Sequence, residues 1–290
     1  MHQNKSLKSE KPDWNVLFEQ ALTQPGVMSK AYSIFHEYSL GNALLAASQL
    51  IHRNLPISPL STFKKWKELV RMVKKGEKAI ALVMPVQISS KSKDGDNDGA
   101  VNPGVDSNSQ PKKSGRTIFV LKNNWFALCQ TEGADYAHEI VIPKWDKAKA
   151  LATLGITEHD FAHMNGNVQG YAIPNEKTLA INPLAALPWK TTFHELAHCI
   201  LHSTEAQMAD GEMLEKCIKE AEAESVAYLC CATLELPGLE QSRAYIQNWL
   251  NSTEPYLEFR KKSAARVFAT ANKILKAGTE SAKAEEVRDE

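Results

Sequence analysis

Residues 191–202 read TTFHELAHCILH, which sets two histidines four apart with a glutamate directly after the first. In an α-helix, positions i and i+4 stand one above the other on the same face, so His194 and His198 can aim both imidazoles at one ion. Glu195 then lies beside the ion and not under it. This is the H-E-x-x-H arrangement of zinc peptidases, in which neutral imidazoles hold Zn2+, or another divalent metal in its place, and the glutamate takes a proton from water. Three fixed positions recur by chance in a chain of this length with odds on the order of one per cent. His202 follows His198 by four and reads as a residue behind the ligands or at the surface.

A catalytic zinc takes three protein ligands and leaves one position open. The segment KEAEAESVAYLCC, 219–231, offers Glu220 and Glu224 on one helix face, with Glu222 turned about 160° away. By spacing alone, either member of the pair can bind the ion while the other accepts a hydrogen bond from a ligand imidazole. Ala221, Ala223, Ser225 and Ala227 are small enough to let this helix approach another closely. The string is similar to the gluzincin pattern E-x-x-A-[D/N]-x-x-A. That resemblance implies Glu220 as third ligand and Glu224 as the orienting carboxylate, standing where Asp or Asn is more usual. The strand TLAINP, 178–183, just ahead of the motif, is expected to be an edge strand that receives an extended peptide by backbone pairing.

These residues need helices and strands to hold them, and the apolar pattern supplies candidates. Helices are expected over WNVLFEQALTQ (14–24), stopped by Pro25-Gly26, and over the LGNALLAASQLIHR segment. A third is expected from Thr62, with Phe63, Trp66, Leu69 and Val73 on one face and Gly76 as its stop. Strands follow at 79–88 and 116–132, separated by a Ser-, Asp-, Gly- and Pro-rich stretch with too few apolar residues to join a core. Its D-G-D-N-D-G core resembles the start of a calcium loop, but position twelve is Val105 and not a glutamate, so no calcium site is expected. Further helices are read after Pro143, after Pro188, over about 215–234 and over about 255–277, with two short strands around Pro174–Lys177.

The 290 residues carry zero net charge, yet the halves differ. Residues 1–140 hold 18 Lys and Arg against 13 Asp and Glu, and the rest hold 16 against 21. Most of the basic excess sits in TFKKWKELVRMVKKGEK, 62–78, where Lys64, Lys65, Lys67, Arg71, Lys74, Lys75 and Lys78 can follow phosphates without sequence preference. Trp66 belongs on the apolar face of its helix, and Trp125 and Phe126 fall on opposite faces of a strand, so one of them can offer a stacking surface. The five scattered cysteines fit free thiols in a reducing cytoplasm. The sequence shows neither a membrane span nor a secretory h-region, which again points to a cytoplasmic location.

EYSLGNALLAASQL, then STFKKWKELVRMVKKGEKAIALVMP, then FALCQTEG, resemble the N-terminal domain of the antirestriction ArdC family. Tyr38, Gly41, Asn42, Trp66, Leu69, Arg71, Val73, Lys74, Lys75, Gly76, Glu77, Lys78, Gln130 and Thr131 match its pattern, with Val70 and Ala79 where that pattern has glycine. HELAH followed by E-A-E-S-V-A-Y-L-C matches downstream. The resemblance implies an α+β chain in two parts. Residues 1–140 would form a small single-stranded DNA-binding domain with a disordered insertion at 89–115. Residues 141–290 would form a zincin-like metallopeptidase domain with a short antiparallel sheet and a disordered tail from about 278. It implies an antirestriction protein of a mobile element, with a protein substrate for the peptidase part. Two other functions compete: a DNA-coating protein whose metal only staples the fold, and a regulatory peptidase that cleaves a DNA-associated protein.

Overall fold

Side-chain caps begin four helices where the sequence supplies an acceptor. Asp13 takes the Asn15 and Val16 amides and starts α1 (Trp14–Thr23); Ser39 takes the Asn42 amide and starts α3 (Leu40–His52). Thr62 caps α4 (Phe63–Glu68), and Asp146 caps α5 (Lys147–Leu154). Between α1 and α3 runs α2 (Pro25–Phe35), absent from the sequence reading because Pro25-Gly26 looks like a stop. Proline is equally suited to the first position of a new helix, and that role prevails here. The computed structural model describes residues 12–35, 37–89, 115–136, 144–162, 168–210, 216–250 and 257–279. The body of the expected insertion, 90–114, and the tail past 279 lie outside the described residues.

The third expected helix is shorter than its apolar repeat. α4 stops at Glu68, Val70 takes a left-handed φ of 56°, and the chain turns into β2 (Arg71–Val73). β2 pairs antiparallel with β5 (Thr131–Gly133), and the Arg71 guanidinium donates to the Thr131 hydroxyl, the Thr131 carbonyl and the Ala134 carbonyl. Tertiary pairing overrides the helical spacing. β3 (Ile80–Ser89) and β4 (Gly115–Ala127) form a long antiparallel ribbon, with β1 (Leu60–Thr62) on the other side of β4.

The open edge of β3 is covered by side chains of α3. The Asn42 amide donates to the Val83 carbonyl and accepts from the Val83 N–H, both at 2.9 Å. Gln49 does the same at Ala81, at 2.8 and 2.9 Å, and Arg53 donates to the Lys78 and Ala79 carbonyls. A row of strand donors and acceptors that would otherwise invite another chain is thereby satisfied.

The second sheet has the order β6-β8-β7, from β6 (Thr157–Glu158), β7 (Gly170–Ile173) and β8 (Thr178–Ile181). β7 and β8 pair antiparallel, and β6 adds to β8 in parallel. The strand expected at the edge, Thr178–Ile181, is therefore the middle one. Thr178, Leu179 and Ala180 are buried, so period-two burial could not mark which strand lay outside.

α6 (Pro188–Leu201) packs on this sheet and against α8 (Lys216–Thr233); α7 (Thr204–Asp210) and α9 (Leu239–Leu250) flank them. α10 (Leu257–Thr279) closes the core against α8, α5 and α1. One apolar cluster joins Leu17, Phe18 and Leu44 to Phe193, Leu196, Val226, Phe268 and Ile274, and a second joins Phe35, Ala46 and Leu50 to Leu60, Ile80, Leu82 and Trp125. The N-terminal helices thus serve both. Tyr228 on α8 donates its hydroxyl to the Ala21 and Leu22 carbonyls, and Asn272 on α10 accepts from the Leu40 amide. The boundary expected near residue 140 falls in 137–143, outside the described residues, while the packing runs across it.

Candidate metal centre and basic face

α6 carries His194 and His198 one turn apart with their Nε2 atoms 3.1 Å from each other. The facing helix α8 brings the Glu220 carboxylate to 3.4 Å from His194 Nε2 and 3.6 Å from His198 Nε2. One donor atom from each residue lies within 4.8 Å of the other two, a spacing that a single ion can bridge. One turn further along α8, Glu224 meets the other nitrogen of His194, Nδ1, at 3.2 Å, and its second oxygen receives Lys190 Nζ at 2.6 Å. Of the two glutamates that the spacing left open, Glu220 faces the paired Nε2 atoms and Glu224 stands behind one ring.

The charges in this cluster are strongly coupled. Burial works against a charged His194, but hydrogen bonds to Glu220 and Glu224 outweigh it and take the ring up to about 9. The same contacts to His194 and His198 pull Glu220 far below the ordinary carboxylate range. Burial also opposes ionisation of Glu224, yet His194 and Lys190 hold its carboxyl at about 2. Glu195 goes the other way: it is buried beside the histidines, and loss of solvent raises its pKa.

Of the two places that the sequence left open for His202, behind the ligands or at the surface, the structure takes the first, and Glu222 is its unforeseen partner. His202 is buried at the end of α6, with Nδ1 2.8 Å from His198 Nδ1 and Nε2 3.1 Å from a Glu222 oxygen. The other Glu222 oxygen accepts from Arg266 of α10 at 2.7 Å. Helical phase correctly turns Glu222 away from Glu220, but every residue of α8 from Ala221 to Thr233 is buried, so that face also looks inward. The small residues Ala221, Ala223, Ser225 and Ala227 between the glutamates, followed by an apolar run to Ala232, were the available signal for a helix packed on all sides.

The basic segment divides between the fold and its surface. Arg71 is committed to Thr131 and Ala134, and Lys74 Nζ donates to the Cys129 carbonyl at 3.1 Å. Lys65 pairs with Glu68 at 3.2 Å in solvent, a contact worth roughly 0–1 kcal/mol. Lys64, Lys67, Lys75 and Lys78 are exposed on α4 and the turn after β2. Gln130 is fully buried and donates to Glu77 Oε2 and the Lys78 carbonyl while accepting from the Ala127 amide, which fixes that turn. Trp66 is core, as expected, with its indole N–H on the Phe126 carbonyl at 2.8 Å. Trp125 is buried and Phe126 half-buried. The aromatic that reaches solvent among these lysines is Phe63, 50% exposed, its ring edge on to Phe126, with Val70 and Met72 exposed nearby.

A cleft of about 670 Å³ lies elsewhere, between α2, the start of α6 and the end of α8, and none of the cluster's histidines or glutamates lines it.

The family model for the N-terminal domain of anti-restriction factor ArdC matches residues 5–126. No curated protein matches the chain. Two crystal structures of antirestriction ArdC from the R388 plasmid share the fold. The metal-free form has a TM-score of 0.52 at 18% identity and covers 91% of this chain and 94% of that one. The Mn(II)-bound form has the same score and identity and covers 92% and 98%. At that identity the likeness is one of fold, and it spans both halves. With a family-model match over residues 5–126 and a fold shared along nearly the whole length, the chain carries the N-terminal domain of anti-restriction factor ArdC on a fold like that of the R388 protein.

Proposed function

We propose that this chain is an antirestriction protein of a mobile element that binds single-stranded DNA through its α4–β2 face and carries a metallopeptidase site centred on His194, His198 and Glu220. The observation that carries the second half is the convergence of these donors from two packed helices, with Glu195 buried beside them. Two imidazoles and one carboxylate suit a catalytic zinc and also accommodate manganese, so the residues fit a divalent ion. When bound, that ion supplies Lewis acidity toward water and a peptide carbonyl. His194, His198 and Glu220 would hold it. Glu195, its affinity for a proton increased by burial, takes one from the attacking water and passes it to the leaving amine. A metal that merely stapled the fold would need no such base.

β7 supports a peptide substrate. Among the described residues it is one of the two outer strands of its sheet, and it is the one that lies hard against α6. A methyl group on Gly170 would meet Thr191 Cγ2 at 2.7 Å and Glu195 Cγ at 3.3 Å. An extended chain added to β7 would therefore run past Glu195. For DNA, the exposed lysines supply phosphate contacts and Phe63 a stacking surface. No described helix is long and apolar enough to cross a membrane.

The test measures metal and DNA on the same full-length preparations. Wild type is expected to hold about one equivalent of zinc and to bind single-stranded DNA with affinity that falls steeply with salt. His194→Ala should lose the metal and keep the DNA. Charge reversal at Lys64, Lys67 and Lys75 should do the opposite, flattening the salt slope by roughly one unit per lost phosphate contact. Full metal occupancy in His194→Ala, or an unchanged slope in the triple reversal, would sink the corresponding half.

A further inference from the structure

His194 and His198 of α6 and its C-capping residue His202 line up along one face, with ring centroids 4.8 Å apart from His194 to His198 and 4.9 Å from His198 to His202. If His198 gives its Nε2 lone pair to a cation, its remaining proton must sit on Nδ1. That nitrogen is 2.8 Å from His202 Nδ1, so His202 has to accept there. A neutral His202 that accepts at Nδ1 carries its own proton at Nε2, and Nε2 points at Glu222 Oε2 3.1 Å away. Glu222 must then be an ionised acceptor, and Arg266 supports that state from its other oxygen at 2.7 Å. Each donor along this path finds an acceptor, and only one tautomer of each ring satisfies all of them.

The path is fixed in place. His202 is 6% exposed and Glu222 is 0% exposed, so water cannot substitute for a missing partner. The backbone of His202 is tied at both ends: its N–H donates to the His198 carbonyl at 3.0 Å, and its carbonyl accepts from the buried Gln207 amide at 3.1 Å. His194 has the shorter solution, a direct contact to Glu224, which Lys190 holds.

We infer that His202 is a positioning residue that links the ligand His198 to the carboxylate of Glu222, so that Glu222 and Arg266, on α8 and α10, set the tautomer and angle of a ring they do not touch. The inference rests on the metal-centre reading. It makes the two ligand histidines unequal: one is backed directly by a carboxylate and the other through a second imidazole. Partners of this kind typically alter metal affinity 10–100-fold when removed.

The test uses full-length protein, zinc affinity by competition with a chromogenic chelator, the visible spectrum of the cobalt-substituted protein, and a circular dichroism melt of each metal-free variant. His202→Leu, which removes the acceptor, should weaken zinc 10–100-fold and shift the cobalt bands. His202→Asn, whose side-chain oxygen can stand where Nδ1 stood, should recover part of that loss. Glu222→Gln should fall between wild type and His202→Leu. A folded His202→Leu protein with wild-type affinity and spectrum overturns the relay. Nitrogen-15 spectra of wild type with zinc decide the matter even if the leucine variant fails to fold: His202 should be protonated at Nε2 and bare at Nδ1, and the reverse tautomer refutes the assignment. Zinc affinity lost in His194→Ala but kept in folded His202→Leu overturns the relay alone, whereas wild type with no saturable site takes down the metal centre and the relay together.

Discussion

Glu220 and Glu224 are a single helical turn apart on α8, yet one faces both Nε2 atoms and the other supports His194 from behind. Glu220→Gln is therefore expected to abolish stoichiometric zinc binding, and Glu224→Gln to weaken it roughly 10–100-fold, as read by metal titration. The reverse order would exchange their roles. The pairing of His194 with His198 was legible in the sequence because i, i+4 spacing is a local property of any helix, whereas the choice of Glu220 over Glu224 was not fixed by spacing. The partners of Glu222 and Lys190 were not legible, since they come from other elements, and spacing left His202 open between a place behind the ligands and the surface. Burial sets a second chemistry at the thiols. Cys231 is pushed up to about 12, chiefly by loss of solvent, with Glu224 adding to the effect and Lys190 opposing it. An unfolded thiol ionises near pH 8.5. The contribution of the buried neutral form is thus fully present below that pH and lost as pH rises toward 12. Cys231→Ala should flatten the alkaline limb of the melting temperature against pH, and an unchanged limb would place that titration elsewhere.

Elements were read well where pattern and packing agree. α1, α3 and α5 start at side-chain caps and α6 at Pro188, while α8 and α10 fall where the apolar residues of the sequence lie. α4 was read too long because Phe63, Trp66, Leu69 and Val73 keep helical spacing through a point where Val70 turns left-handed and β2 finds β5. The edge strand was misplaced for a different reason: sheet order is a long-range property, and β8 gained a parallel neighbour, β6, that no local signal announces. β6 and β7 take the outer positions, and Gly170 lets β7 approach α6. Gly170→Ala would drive a methyl into Thr191 and the Ala180 carbonyl, forcing β7 from the helix. Peptidase activity is expected to fall at least tenfold while zinc content stays near one equivalent, because the ligands sit on α6 and α8. Loss of zinc with activity would show that the strand supports the metal cluster instead.

At the scale of the molecule, the charge split suggested two parts, and the core shows how they are joined. Leu17, Phe18, Leu22 and Leu44 bury their side chains against residues from 193 to 275, and each fully buried side chain of this size contributes about 1.5–3 kcal/mol. A chain cut near residue 140 would expose that whole surface, so DNA binding belongs in the full-length protein. Composition revealed which half was basic and which carried the ligands; it could not reveal that α3 packs against the first sheet on one side and α10 on the other, since such contacts have no local signature. If the proposed function holds, DNA on the α4–β2 face would lie at a fixed distance from the His194, His198 and Glu220 cluster, which would suit action on a protein bound to the same DNA. The most direct measurement is survival of an incoming unmodified plasmid in a restricting host that makes wild type, Glu195→Ala, or the Lys64, Lys67 and Lys75 charge reversal at equal levels. Protection by wild type, and its loss in both variants, is the expected result; full protection by Glu195→Ala would contradict a catalytic role for the metal centre.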